Sequence, residues 1–448
     1  MMIVLMNLIF SFDSILSALA VTKVFAVLAT AILVSGVLML VLADAVADFI
    51  ERNRKYEVLG LFILLIVGVV LLGEGGHVAH LTLFGQKVEA MAKLAPEDPE
   101  HMPPVEPQEF LTPINFSEAT AAMTPEEALA HLRPVIELAR EKGVDSAGYL
   151  NRENGGYAVA NTNGLFHYEP ETKVTFSTTA RKAEGRGSGW ASTWATDLGE
   201  LDLLSPGKRA IGKALDSVHA KERNAGRTTV VLESAAVRDL VSILSWSLGR
   251  RSFDEGRSFL NGLVEEGEDV IGKKLFGDSV NLFSDPLYAE APCPVSSYGQ
   301  ARKAMKWIEN GVLRNLTVPR FWAKKQGIDP VPWAGNLIMA GDETSTEDLI
   351  AGVKNGVLIT RLWYLRMVQP QTLLYTGLTR DGTFAIENGE IAGPVKNFRF
   401  NESPASLLNR IVASGKQKRV LGSEGTTPAH IPSLVVEDFN LSSVSDAS

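Results

Sequence analysis

The sequence predicts an α+β fold, antiparallel-rich mixed sheets with packed helices, preceded by two to three transmembrane helices. Three observations predict it. Asn310-Gly311 and Asn388-Gly389 each separate two short apolar runs, the pattern of a tight hairpin turn. Thr124-Pro125-Glu126-Glu127 reads as a capping box with proline at the first helical position. Val24–Leu42 is an uncharged apolar run of 19 residues, close to the roughly 20 that cross a bilayer.

Taken in order, Met1–Ala20 is apolar except for Asn7, Ser11, Asp13, Ser14 and Ser17. On a helix these fall on one half of the circumference, a polar face turned toward a bundle interior. The stretch reads against a signal peptide: it has no basic start, carries Asp13 inside its apolar core and is followed at once by another apolar run. Asp13 is a candidate membrane ion site, because a carboxylate in an apolar helix marks an ion path or a partner. Val58–Gly73 is a third, shorter apolar run. Glu74, His77 and His80 follow it and suit either a divalent metal or a solvated interface. Residues 1–73 are thus expected in the lipid bilayer, with Arg52, Arg54 and Lys55 on the cytoplasmic side.

Leu94–Pro113 holds six prolines and five acids in twenty residues and reads as an extended linker. Beyond it, a helix begins at Thr124, turns Leu129, Leu132, Ile136 and Ala139 inward, and stops at Gly143. Tyr157–Ala160 and Leu165–His167 read as strands around an Asn-Thr-Asn-Gly turn, and Lys173–Thr179 as a further strand. Gly185–Ser192 reads as a glycine-rich bend; no Lys-Ser/Thr ends it, so it is not a phosphate loop. Leu204–Lys221 is helical, Thr228–Leu232 a buried strand, and Ala235–Leu248 a helix with Val237, Leu240, Ile243, Leu244 and Leu248 inward. The hairpins join Met305–Ile308 to Val312–Leu316 and Thr383–Ile386 to Glu390–Ile391. Ser345 and Asp348 cap a helix over Glu347–Lys354.

The net charge of −9 and the absence of a basic block exclude direct nucleic-acid binding as the main task. The single cysteine, Cys293, excludes an intrachain disulfide and a Cys-rich zinc site, and its place between two prolines favours a structural role. The His-Glu pair of a metallopeptidase helix is absent, as is a G-x-S-x-G elbow. No catalytic residue is assigned. Arg366, Arg380 and Asp381 are candidates to bind a peptide carboxylate, a phosphate or a partner; the favoured reading is a strand with arginine stems beside an Asp-Gly turn.

Two resemblances add to this. NLIFSFDSIL, the Val24–Leu42 span, Asn53–Tyr56, LGLFILLIVGVVLLGEGGH and HLTLFGQKVEAMAK resemble the second half of the TerC family, over residues 1–93. Those are integral membrane proteins linked to tellurium resistance and manganese export. The resemblance implies an ion-related role for Asp13 and, as one reading, a membrane metal-ion transporter with a soluble regulatory domain.

ITRLWYLRMVQPQTLLYTGLTRDGTFAIENGEIAGPVKNFRFNESP resembles the C-terminal signature of the TldD/PmbA metallopeptidase family. SFDEGRSFLN at Ser252–Asn261, Ser284-Asp285-Pro286, Gly341–Ile350, GSGWAS and Thr228–Ser234 agree with it. The resemblance divides the remainder into a linker at 94–113, a central domain at 114–226 and a C-terminal domain at 227–448. In that family the TldD-type member carries a zinc helix and its TldE (PmbA) partner does not. The ligands are expected on the helix after Thr228–Leu232, which here reads AAVRDLVSILSWSL, without His, Glu or Cys. The resemblance therefore implies a TldE-like, cytoplasmic, non-catalytic subunit with no cofactor of its own. It implies zinc in a TldD-like partner, a hetero-oligomer with that partner or a self-dimer, and a peptide substrate. A partner-binding module such as a gyrase modulator is a further reading.

Overall fold

The structure is a computed structural model that describes residues 96–423 and 425–446, with Val88, Glu89, Met91, Lys93 and Leu94 ahead of them. Asp13, the three apolar runs, Glu74, His77 and His80 lie outside the described residues. Among the described residues no helix is long and apolar enough to cross a membrane. Residues 100–448 form one unit, separate from residues 1–99.

Helix α1 (Glu118–Ala122) is capped by Ser117. Helix α2 (Pro125–Glu141) opens with the expected box: Thr124 accepts from the Glu127 amide, and the Glu127 carboxylate accepts from the Thr124 amide. Gly143, at φ +60°, ends it. Its buried face matches the expected one at Ala139 and partly at Leu132, but not at Leu129 and Ile136. Val135 and Ala139 are buried, whereas Leu129 is 49% and Ile136 40% exposed. Val135 packs against Val174, Phe176 and Leu203, and against Gly207, where a Cβ would come within 2.8 Å of it.

The strands expected at 157–160, 165–167 and 173–179 belong to two longer ones. Strands β1 (Asp145–Ala160) and β2 (Phe166–Lys182) pair along their whole length, from Asp145 opposite Arg181 to Ala160 opposite Phe166. Gly155, Gly156 and Pro170 interrupt the sequence pattern without interrupting the ladder. Strand β3 (Gly187–Ala195) pairs with β2 only from Val174 onward. At Pro170, β2 has a neighbour on one side alone, the edge setting that proline tolerates.

Gly185–Ser192 is not a free bend; most of it is β3. A Cβ on Gly187 would lie 2.0 Å from the Ala214 carbonyl, and one on Gly189 2.1 Å from that of Ala210. The glycines let helix α3 (Leu204–Asp216) lie directly on the strand. The helix is shorter than the expected 204–221: Ser217 caps it and His219 turns to φ +56°. Helices α2 and α3 bury one face of this three-stranded sheet through Val174, Phe176, Ala180, Ala191 and Ala195.

Strand β4 (Gly226–Leu232) and helix α4 (Ser234–Trp246) follow, then α5 (Arg250–Asp254), β5 (Leu282–Ser284), β6 (Ser296–Ser297) and β7 (Gln300–Ala301). The chain continues through β8 (Met305–Glu309), β9 (Val312–Leu313), α6 (Arg320–Gln326), β10 (Leu337–Met339), α7 (Thr346–Ala351) and β11 (Asn355–Ile359). The last elements are β12 (Leu362–Gln369), β13 (Leu374–Thr379), β14 (Thr383–Glu387), β15 (Glu390–Pro394), β16 (Asn397–Glu402), α8 (Pro404–Leu407), β17 (Ile411–Arg419) and β18 (Ala429–Ser445). Both Asn-Gly turns take positive φ at both positions, +49° and +76° at 310–311, +52° and +83° at 388–389, as hairpins of this type require. Strand β9 is shorter than expected and α7 ends at Ala351 rather than Lys354.

One sheet runs β15-β14-β11-β4-β18-β10-β5-β8-β9, and β12, β13, β16 and β17 attach through β18. Its ladders are antiparallel except β4–β11 and β10–β18. Strand β4 is buried on both sides. Val230 and Leu232 meet α4 through Val237, Leu240 and Leu244, while Val231 meets Leu349 of α7. A continuous β-branched run is what such a strand needs.

The proline-rich segment is extended, as expected, but from Glu100 onward it is a docked strap rather than a free linker. Glu100 forms a two-bond ion pair with Arg251 at 2.6 and 2.7 Å. Arg320, Asn163 and Asn161 donate to the carbonyls of Pro103, Pro104 and Val105. Gln108 brackets the backbone of Gly299 and Ala301, and Phe110 stacks on His167 with centroids 3.9 Å apart.

Candidate functional site

Successive side chains on a strand point to opposite faces. On β3 the face away from α3 therefore presents Ser188, Trp190, Ser192 and Trp194, and each of them reaches the C-terminal region. Trp194 donates to the Ala429 carbonyl at 3.3 Å, and Ser192 bonds both polar groups of Leu421. Ser188 donates to Asp381 at 2.6 Å, and Trp190 lies under Arg361, 4.2 Å from ring centroid to guanidinium carbon. Beside them Lys213 pairs with Glu233 at 2.6 Å. Burial pushes the Lys213 ammonium down from its ordinary range while Glu233 pulls it back.

Arg361 is the centre of this seam. Its guanidinium lies against Trp190 and Trp363, pairs with Asp381 at 2.6 Å and reaches the Ser423 hydroxyl at 3.4 Å. Arg361 and Asp381 side chains are only 11% and 2% exposed. Asp381 holds φ +55° at the turn that ends in Gly382. Of the residues singled out from sequence, Arg380 and Asp381 come together here, Arg380 over Trp363 and 3.9 Å from the Asp381 carboxylate. Arg366 lies apart, over Tyr364 and donating to the Leu365 carbonyl. Asp381 is not an open ligand; its carboxylate is bonded within the protein. Arg361 stood in the same passage, but its partner Ser188–Asp381 pairing joins residues 193 apart.

Ser423 links this seam to α4. Its amide donates to both oxygens of Asp239, at 3.0 and 3.1 Å, and its hydroxyl donates to the Leu362 carbonyl. Asp239 faces Arg238 at 3.4 Å, and Arg238 also reaches the Thr427 carbonyl. Both side chains are buried, and Arg238 Nε has no partner. Burial pushes the Asp239 carboxyl up, against the pull of Arg238 and Ser423. A Cβ on Gly422 would fall 2.0 Å from Asp239 and 2.1 Å from Arg238, so only glycine lets the loop close over the pair.

Helix α4 is where the resemblance puts zinc ligands, and its residues do not fit zinc. A zinc site needs three or four lone-pair donors in a tetrahedral set. Asp239 offers one carboxylate, and Arg238 brings a cation with no lone pair to the same spot. Among the described residues no group of three or more His, Cys, Asp or Glu is placed to hold a metal. Cys293 is buried, and that burial pushes its thiol up to about 12. The native protein is thus expected to resist iodoacetamide at pH 8 and to be alkylated only in denaturant; rapid labelling of the folded chain, read by mass spectrometry, would contradict this.

The comparisons with known proteins agree with the two resemblances. The PmbA/TldA metallopeptidase central domain matches residues 118–218 and the C-terminal domain of the same family residues 225–443. The integral membrane protein TerC family matches residues 1–95. Among curated proteins none matches this chain. The fold is shared with solved structures, among them the following three. A proposed modulator of DNA gyrase from Bacteroides thetaiotaomicron is 20% identical, covering 81% of this chain and 83% of its own, with a TM-score of 0.69. A second such modulator, from Thermotoga maritima, is 20% identical over 79% and 82%, with a TM-score of 0.65. TldE from Thermococcus kodakarensis is 19% identical over 78% and 82%, with a TM-score of 0.67. The chain belongs to the PmbA/TldA metallopeptidase family through its central and C-terminal domains, and it carries a TerC-family segment ahead of them.

Proposed function

We propose that residues 114–448 act as a TldE-like, non-catalytic subunit that pairs with a TldD-like zinc subunit in processing peptides. The observation that carries this is the Arg238–Asp239 pair on α4. A buried guanidinium stands where the active member of such a pair would present metal ligands, and it repels a divalent cation rather than holding one. The likeness of fold to TldE supports the same side of the family. Residues 1–95, by their TerC match, would attach this subunit to a membrane. The modulator structures suggest a gyrase-linked reading, but a chain of net charge −9 does not favour contact with DNA phosphates.

Co-expression with a TldD-like zinc subunit tests the proposal. The two chains should co-purify, and peptidase activity should follow zinc into the complex and be absent from this chain alone. Peptide hydrolysis by this chain without the partner would sink it.

A further inference from the structure

A cleft beside the Ser284-Asp285-Pro286 motif lies away from α4. It has a volume of about 610 Å³ and is bounded by the strap at Val105 and Gln108, by Ser284 and Pro286, and by the wall Pro330-Val331-Pro332-Trp333. That is the size of a ligand site rather than a packing defect. Ser284-Asp285-Pro286 shapes its floor. Asn336 accepts from the Asp285 amide and donates to the Asp285 carbonyl, and Ser284 accepts from the Trp307 indole.

The charge of this cleft runs against that of the chain. Arg302, Lys303 and Arg320 line it, opposed by Asp329 alone. Arg302 spends its guanidinium on the carbonyls of Trp333, Pro294 and Ser296, and Arg320 on the carbonyl of Pro103. Lys303 is exposed. Among the described residues none of the three forms an ion pair; Arg302 acts through space on the half-buried Glu171, and Lys303 is left without a carboxylate in contact. Trp333, 49% exposed, lines the same cleft beside Arg302, which donates to its carbonyl.

The strap shows what this surface accepts. It is itself an extended, proline-rich, acidic peptide, held by Arg251 on Glu100, by Asn163 on Glu106 and by Arg320 on a main-chain carbonyl. We propose that the cleft binds a second extended segment of the same chemistry, an acidic proline-containing peptide laid beside the strap. Its carboxylates would meet Lys303, Arg302 and Arg320 and its prolines Trp333. Extended prolines arrive with little conformational entropy left to lose and stack well on indole.

The proposal rests on the peptide-processing reading for its substrate class, but its test needs no partner subunit. Failed pairing leaves it intact, and failed binding leaves pairing intact. The probe is a fluorescein-labelled octapeptide of alternating Glu and Pro, titrated with the full-length chain and read by fluorescence anisotropy. Its Lys-Pro counterpart is the control. Saturable binding of the Glu-Pro peptide is expected, with Lys303→Glu and Trp333→Ala each weakening it about tenfold, the loss of one charge-assisted bond or one stacking contact. Both side chains are exposed, so each variant should keep the unfolding midpoint of the parent. Absence of saturable binding, equal binding of the Lys-Pro peptide, or undiminished binding by both folded variants would overturn the proposal.

Discussion

Replacing Asp381 with alanine is expected to destabilise the fold by about 3–5 kcal/mol, the cost of removing one member of a buried ion pair. Three losses coincide. Arg361 keeps a charge that is nearly shut off from water, Ser188 loses its acceptor, and alanine must hold the φ of +55° that aspartate tolerates better. Asp381→Asn keeps the turn and one acceptor and should cost clearly less. Trp190 and Trp363 flank Arg361, so they contribute to the tryptophan fluorescence by which urea unfolding is followed. Equal midpoints for the parent and Asp381→Ala would show that the pair does not join the two domains energetically.

The second large effect concerns Gly189. Its Cβ would meet the Ala210 carbonyl at 2.1 Å, Lys213 Cβ at 2.6 Å and the Ala214 amide at 2.7 Å. Two of the three are backbone, so α3 must lift off β3 as a body. A loss of about 3 kcal/mol is expected for Gly189→Ala, the upper end of what overpacking costs, with the Lys213–Glu233 pair strained in the same movement. Gly212, on the same helix, meets nothing within 4 Å. Gly212→Ala should instead stabilise by about 0.5–1 kcal/mol through helix propensity. Opposite signs for two glycines at one helix, Gly189 beneath it on β3 and Gly212 within it, would follow from this packing, and the same urea titration measures both.

What was legible in the sequence is what local chemistry decides. The Thr124 box, the Asn310-Gly311 and Asn388-Gly389 turns and the inward face of α4 each depend on residues within a few positions of one another. What was not legible depends on distant partners. Gly187 and Gly189 look like a loop until α3 is laid on them. The strap looks like a linker because the residues that hold it, Asn161, Asn163, Arg251 and Arg320, lie far along the chain. The same holds for the site. Arg380 and Asp381 could be picked out as charged neighbours, but Asp381's use as an internal anchor needs Ser188 and Arg361 beside it. The missing zinc motif was readable on α4, whereas the pairing of Arg238 with Asp239 beneath Gly422 and Ser423 was not.

Helix α4 carries a buried guanidinium beside its one carboxylate, Asp239. The purified full-length chain, offered zinc at neutral pH, desalted and assayed for metal, should hold no zinc that depends on Asp239: the parent and Asp239→Ala should give the same content. One zinc per chain in the parent, lost in Asp239→Ala, would overturn this assignment.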